Sequence, residues 1–388
     1  MPLEPVAPDR KDAPMTRAVI AGYVRSPFQP ARRGSLARVR PDDLAAAVVA
    51  ALVDRTGVEP ERIEDVTLGC AFPEGEQGMN LGRIVAILAG LPRSVGGSTV
   101  NRFCGSSMQS VHTAAASVAM GAGDAYVCAG VESMSRIPMG GFNPLYNPSL
   151  VESYPDIYMT MGETAENVAD RYDVPRQRQE QFALESQQKT AAATAAGRLA
   201  DEIVEVAGIT ADGCPRPDTT LEGLAGLKPA FTPEGSVTAG TSSPLTDGAA
   251  AVLVTSEDYA RDRGITPLAA VRSIAVAGCD PAVMGIGPVA ATRKALERAG
   301  IGVEDIDLVE LNEAFASQAL ACIDQLGLDR ARVNADGGAI ALGHPLGATG
   351  ARITGKAAAL LSREGGRYAL ATQCIGGGQG IATVLEAV

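Results

Sequence analysis

Two similar α/β halves separated by a long irregular insertion are what this sequence predicts, and three observations predict them. Short apolar runs alternate with segments of helical period over residues 16–134 and again from Gly248 onward, the pattern of a parallel sheet layered with helices. Ala51-Leu52-Val53-Asp54-Arg55 with Ile63-Glu64-Asp65-Val66 is echoed by Ala295-Leu296-Glu297-Arg298 with Ile306-Asp307-Leu308-Val309. Each block is a helix end, a turn and a strand. Shared α/β composition produces some such echoes, but duplication accounts better for the order of elements. Between the halves, Pro138, Pro144, Pro148 and Pro155 break any regular pattern.

The elements follow in order. Residues 17–24 read as a strand, and Pro41 opens a helix to about Thr56, since proline is tolerated at a first helical position. A strand over 65–72 precedes a helix that Asn80 can cap, running to Gly90. A strand over 98–103 leads into a helix over 105–120, and 125–130 has the continuous apolar run of a buried parallel strand. Helices over 160–172 and 176–196 follow, the second stopped by Gly197. Residues 135–243 form the insertion, expected to lie over the functional site. The second half then supplies a strand over 367–374.

Composition narrows the class. A chain of 388 residues suggests two or three domains or layers, and 46% apolar residues with no Trp suit helices packed on a sheet. A net charge of −12 argues against generic nucleic-acid binding, and no run of 18 uncharged apolar residues predicts a membrane span. An anionic ligand would need local basic residues or helix N-termini. The seven cysteines are scattered with no Cys-x-x-Cys, which suits a reducing, cytoplasmic setting and no metal centre. Residues 1–15, rich in proline and carrying Glu4, Asp9 and Asp12, read as a disordered leader and not as a targeting peptide.

Three stretches carry the chemistry. Asn334 to Arg352 holds His344, one of two histidines, among Gly337, Gly338, Gly343, Gly347 and Gly350. Glycines at that density let backbone approach a ligand closely. Val100-Asn101-Arg102-Phe103-Cys104-Gly105-Ser106-Ser107 puts a cysteine at the opening of a helix, where free N–H groups and the dipole favour a thiolate. Cys374 precedes Gly376, Gly377, Gly378 and Gly380. A low-pKa thiol beside a neutral imidazole is a nucleophile for carbonyl carbon, and a second thiol can move a proton. Taken singly, each residue has a plainer role: a satisfied histidine in a turn, a buried small cysteine, a phosphate-cradling loop. Leu311-Asn312-Glu313-Ala314-Phe315-Ala316 ends a strand and starts a helix, so Asn312 is either a functional group at a strand end or a helix cap. His112 is assigned no role.

Together these four blocks resemble the thiolase family, in order along essentially residues 16–388. The resemblance implies a five-layered αβαβα fold built from two similar halves plus a loop domain. By that likeness 16–134 and 244–268 make the N-terminal half, 135–243 the loop domain and 269–388 the C-terminal half. It implies that Cys104 is the acylated nucleophile, His344 the base that activates it, and Cys374 the second acid/base. Asn312 would hold a water that, with His344, forms one oxyanion hole. The N–H groups of Cys104 and Gly376 would form the other. Met161 resembles the family's pantetheine-contacting methionine; Arg216, Phe231 and Ser243 fall in blocks resembling its coenzyme A wall, and Phe315 would line the acyl end. A surface arginine, core aromatics and a turn serine are the plainer readings of these. No cofactor is implied, because coenzyme A is a substrate. A homodimer or homotetramer is implied, and a hydratase–dehydrogenase partner is left open.

Asn-Arg-Phe-Cys-Gly-Ser-Ser and Ala-Gly-Thr-Ser-Ser resemble degradative members, and Thr160 stands where short-chain biosynthetic members more often carry His. The expectation is a 3-ketoacyl-CoA thiolase of β-oxidation. An acetoacetyl-CoA-forming enzyme, and a thiolase for dicarboxylic or ring-derived acyl-CoAs, are the alternatives. A condensing ketoacyl synthase would carry His or Asn where Cys374 stands, and a non-catalytic lipid-binding relative should have lost Cys104, His344 or Cys374.

Overall fold

The computed structural model describes residues 16–388; the leader expected over 1–15 lies outside the described residues. The first half runs β1 (Ala18–Arg25), the two-residue β2 (Gln29–Pro30), α1 (Pro41–Thr56), β3 (Ile63–Gly69), α2 (Leu81–Leu88), β4 (Gly96–Val100), α3 (Ser106–Ala119) and β5 (Ala125–Ser133). Between β5 and the next strand lie α4 (Pro148–Ser153), α5 (Met161–Arg171), α6 (Arg176–Ala195) and α7 (Leu221–Ala225). Then come β6 (Thr246–Ser256), α8 (Glu257–Arg263), β7 (Ala269–Gly278), α9 (Gly287–Ala299), β8 (Leu308–Leu311) and α10 (Ala316–Leu326). The short α11 (Ala339–Leu342), α12 (Leu346–Glu364), β9 (Tyr368–Ile375) and β10 (Gln379–Glu386) complete the chain.

The strands lie in the order β4-β3-β5-β6-β1-β7-β10-β9-β8. The two halves of that order mirror each other about the short β1–β7 pairing, where Val19 faces Ala270 and Ile20 faces Ala269. The counterpart of β4 in the second half is reduced to a single parallel bridge, Val309 to Val333. The sheet is mixed, which corrects the expectation of a parallel layer. Only β3–β4, β3–β5 and β8–β9 are parallel; β6, β1, β7 and β10 join antiparallel. The reason is in the connections: β10 returns directly from β9 through Gly376-Gly377-Gly378, whereas a parallel neighbour needs a helical crossover.

Side-chain alternation builds five layers from these strands. In β6, Ala249, Ala251 and Leu253 face the outer core with α1 and α2, while Ala250, Val252 and Val254 face inward. In β9, Leu370 faces outward to α9 and α10, while Ala369 and Ala371 face inward. The inward faces of both halves close on α3 and α12, which share one buried cluster through Met108, Val111, Ala348, Ala351 and Ile353. The layers are therefore α1/α2, sheet, α3/α12, sheet, α9/α10. Helix starts mostly follow the sequence, as at Pro41. Asn80 does not: it takes φ 54° and its side-chain amide donates to the Gly97 carbonyl, bracing β4 instead of capping α2.

Candidate active site

Cys104 sits between β4 and α3 on a turn that other side chains hold in place. Phe103, just before it, takes φ 42°, a left-handed conformation that costs a non-glycine residue about 1–3 kcal/mol. Asn101 Oδ1 accepts the Phe103 N–H (2.9 Å), and Ser106 Oγ accepts the Arg102 N–H (2.9 Å) and donates to the Phe103 carbonyl (2.6 Å). The Arg102 guanidinium reaches Gln109 and Gln379 (3.0 and 2.8 Å), and the Gln373 amide donates to the Cys104 carbonyl. Gly105 lets this turn pack closely on β9: a Cβ there would lie 2.6 Å from Ile375 Cδ1 and force that side chain to shift.

Ile375 ends β9, and the hairpin beyond it brings Gly376 against the cysteine. The backbone N–H groups of Gly376 and of Cys104 itself lie near enough to the Cys104 thiol to favour its ionised form. Cys374 lies close enough that its charge and that of Cys104 would repel. It is fully buried, in an apolar cluster with Ala314, Phe315 and Met284, against which Met161 packs. A Cβ on Gly376 would stand 3.3 Å from the Met161 sulfur.

His344 enters from the second half. Its own N–H donates to Thr246 Oγ1 (3.0 Å), and its Nδ1 lies 2.6 Å from Thr349 Oγ1. The Thr349 hydroxyl proton goes to the Pro345 carbonyl (3.1 Å), so that oxygen accepts from Nδ1–H. The lone pair is thereby placed on Nε2, which faces the Asn312 side-chain amide at 3.4 Å. Asn312 lies just past β8 and is fully buried; α10 begins only at Ala316, so Asn312 is not a helix cap. Its Oδ1 has no partner, an acceptor free to hold a water. Leu346, two residues after the imidazole, packs in the same small cluster as Cys104, Ala71 and Met134.

Electrostatics revise one expectation. Burial pushes the Cys104 thiol up to about 11, against the pull of the two N–H groups, instead of down toward a thiolate. Burial likewise drops His344 to about 3, with Arg352 adding to the shift. Cys374 is raised well above the ordinary thiol range, by burial first and then by Cys104. The resting site holds two neutral thiols and one neutral imidazole. Alkylation of Cys104 by iodoacetamide should therefore keep accelerating from pH 7 to pH 9, about tenfold per unit, because the thiolate fraction is still rising. A rate already flat by pH 8, followed by mass spectrometry of the Cys104 peptide, would mean a preformed thiolate–imidazolium pair.

The remaining candidates divide. Phe231 and Phe315 meet edge to face, 5.8 Å between centroids, and Phe231 lies against Gly162. Ser243 N–H donates to the Ala314 carbonyl (3.0 Å), which joins it to the same wall. Arg216 stands apart: it is exposed and engaged through its backbone, its N–H donating to Gln187 (2.8 Å) and its carbonyl accepting from the Thr219 hydroxyl (2.7 Å). His112 is buried and bonded to Thr383 (2.8 Å), away from these groups. The residues that sequence reasoning missed are supports. Thr349 and Thr246 orient His344, Gln373 holds the Cys104 carbonyl, and Glu132 is a carboxylate buried in strand β5. Glu132 alone carried a signal, as the single charge in an otherwise apolar strand.

Two family models match the chain: thiolase, N-terminal domain, over residues 18–258, and thiolase, C-terminal domain, over residues 265–387. The chain is 46% identical over 389 residues to a 3-ketoacyl-CoA thiolase of Bacillus subtilis (strain 168), covering 96% of this chain and 100% of that protein. It superimposes on human mitochondrial 3-ketoacyl-CoA thiolase in complex with CoA with a TM-score of 0.89 and 38% identity, over 97% of this chain and 99% of the other. It also matches the acetyl-CoA acetyltransferase of Bacillus anthracis, TM-score 0.88 and 40% identity, over 96% of this chain and 99% of that one.

Proposed function

The chain belongs to the thiolase family, and from that premise we propose that it is an acetyl-CoA C-acyltransferase. It cleaves a 3-ketoacyl-CoA with coenzyme A to acetyl-CoA and a shortened acyl-CoA. The observation that carries the residue roles is the packing of the end of β9 on the Cys104 turn, with the Gln373 amide on the Cys104 carbonyl and Ile375 against Gly105, either side of the buried Cys374 thiol.

His344 Nε2 takes the Cys104 proton as the sulfur attacks the keto carbon. The developing oxyanion is met by the N–H groups of Cys104 and Gly376, a contribution of about 10²–10³ in rate for one such donor. The C2–C3 bond then breaks, and its electron pair becomes the enolate of acetyl-CoA. A water on Asn312, together with His344, stabilises the thioester oxygen of that enolate. Cys374 is protonated at rest and gives its proton to the carbanion carbon, which is why its raised pKa suits cleavage. Coenzyme A then gives its thiol proton to the Cys374 thiolate and attacks the acyl-Cys104 carbonyl; the Cys104–acyl bond breaks and the departing sulfur recovers its proton from His344. Met161, Phe231 and Ser243 wall the pantetheine and Phe315 lines the acyl end, with the exposed Arg216 at the outer rim. The two thiols and the imidazole account for every proton, so no resident cofactor is needed.

Degradative use in β-oxidation is favoured by Thr160. It sits at the start of α5 with its hydroxyl and N–H both donating to Glu163 (2.6 and 3.1 Å), immediately before Met161. Thiolysis of C4 to C16 3-ketoacyl-CoAs tests this: medium chains should be cleaved with kcat/KM at least equal to that for acetoacetyl-CoA. A strict C4 preference would move the enzyme to the biosynthetic class.

A homodimer through β4 is supported by its position at the sheet end and by exposed Met79, Ile87 and Leu88 nearby. Exposed Phe142, Leu145, Tyr146 and Tyr154 offer a second contact for a tetramer or for a hydratase–dehydrogenase partner. The scattered unpaired cysteines suit a cytoplasmic setting.

A further inference from the structure

Glu132 is 1% exposed and, among the described residues, faces no cation; its partners there are all neutral donors. Its Oε2 accepts the Ala71 N–H at 2.8 Å and the Gly347 N–H at 2.9 Å. Its Oε1 accepts the Gln77 amide at 2.8 Å and the Phe72 N–H at 3.3 Å, with the Cys70 thiol at 3.7 Å. Burying a carboxylate without a counter-ion is costly, and only a full set of donors makes it tolerable. An apolar residue of similar volume would fill the space at less cost if packing were the only need.

What those donors belong to points to the use. Ala71 lies just past β3 in the first half, whereas Gly347 is in the first turn of α12 in the second, three residues after His344. Ala71 and Leu346, the neighbour of Gly347, both pack against Cys104. One oxygen atom thus bridges the two walls of the nucleophile, and one of those walls carries the imidazole.

We propose that Glu132 is a positioning residue for acyl transfer, setting the Cys104 sulfur and His344 Nε2 in register across the two halves. The proposal rests on the reading of Cys104 as nucleophile and His344 as base. Met161 and Phe231 of the pantetheine wall and Phe315 of the acyl end make none of these contacts, so loss of register should appear in turnover and not in substrate binding.

In Glu132→Gln the amide can keep an oxygen toward one set of donors only, and its NH₂ opposes the other. A misplacement near 1 Å costs about 100-fold in rate. For thiolysis of acetoacetyl-CoA, kcat of E132Q should therefore fall by about 100-fold with KM for both substrates within about twofold. Iodoacetamide alkylation of Cys104 should slow in parallel. Glu132→Asp keeps the acceptors but retracts them by one methylene, and should lose about tenfold in kcat at unchanged KM. A wild-type kcat in E132Q, a loss carried by KM, or a loss that merely tracks the folded fraction by circular dichroism would overturn the role. If E132Q is not recovered folded, E132D decides by the same criteria. Wild-type protein incubated with acetyl-CoA is scored alongside by mass spectrometry. Acetylation at Cys104 with an unchanged variant rate overturns the Glu132 role alone, whereas no acetylation at Cys104 overturns the catalytic reading and this proposal with it.

Discussion

Cys104→Ala should abolish covalent acetylation by acetyl-CoA and lower thiolysis by about 10⁴-fold or more, since removing a covalent nucleophile leaves only binding and the oxyanion hole. Neither Cys374, Cys128 nor Cys70 is placed to take over its role. Cys374 lies in the apolar cluster of Phe315, Ala314 and Met284 and its thiol is raised well above the ordinary range, so it is held as a proton donor, and Cys128 is so buried that its thiol is pushed far up. Cys70 is held beside Glu132, whose negative charge opposes its ionisation. Intact-mass and peptide mass spectrometry after acetyl-CoA incubation read the result directly. Acetyl on Cys374 or Cys128 of the wild type, or undiminished thiolysis by the variant, would overturn the assignment.

Cys374→Ala separates the two thiols. With Cys104 as nucleophile and His344 as base, the attack that begins acyl transfer makes no use of the Cys374 thiol. Cys104 should therefore still become acetylated, within about tenfold of the wild-type rate. Exchange of the acetyl methyl hydrogens of acetyl-CoA with deuterated water should disappear, along with carbon–carbon cleavage and condensation. A loss of about 10²–10⁴-fold is what a missing general acid/base brings. The thiol is suited to the task because it is buried, protonated and beside the hairpin whose Gly377 and Gly378 take φ 75° and 79°. Those left-handed residues let the chain turn tightly over the substrate with no side chain in the way. Wild-type exchange in the variant would assign the α-carbon proton to His344 and leave Cys374 as wall.

Much of this was legible in the sequence. Helical spacing gave α1 and α3 nearly to the residue, and the apolar run at Ala125 gave β5, because both periods follow from backbone geometry alone. The echo between the halves placed Cys104 and His344, 240 positions apart, at matching helix openings. Strand direction was not legible, since it depends on which neighbour a strand meets after an insertion of any length. Nor was the support around His344: Thr349 reads as one more small residue in a glycine loop until the fold turns its oxygen to Nδ1.

What the sequence by itself determined is therefore the set of reactive groups and the local elements that present them: a thiol at a helix opening, an imidazole in a glycine loop, a second thiol before a hairpin. Only the tertiary structure decided their state. A helix opening favours a thiolate, yet the layers that close over Cys104 raise its thiol to about 11 and lower His344 to about 3. The dipole acts over one turn and is written in local sequence. Desolvation comes from everything packed around the group, here from both halves and the segment between them, and no local pattern contains it.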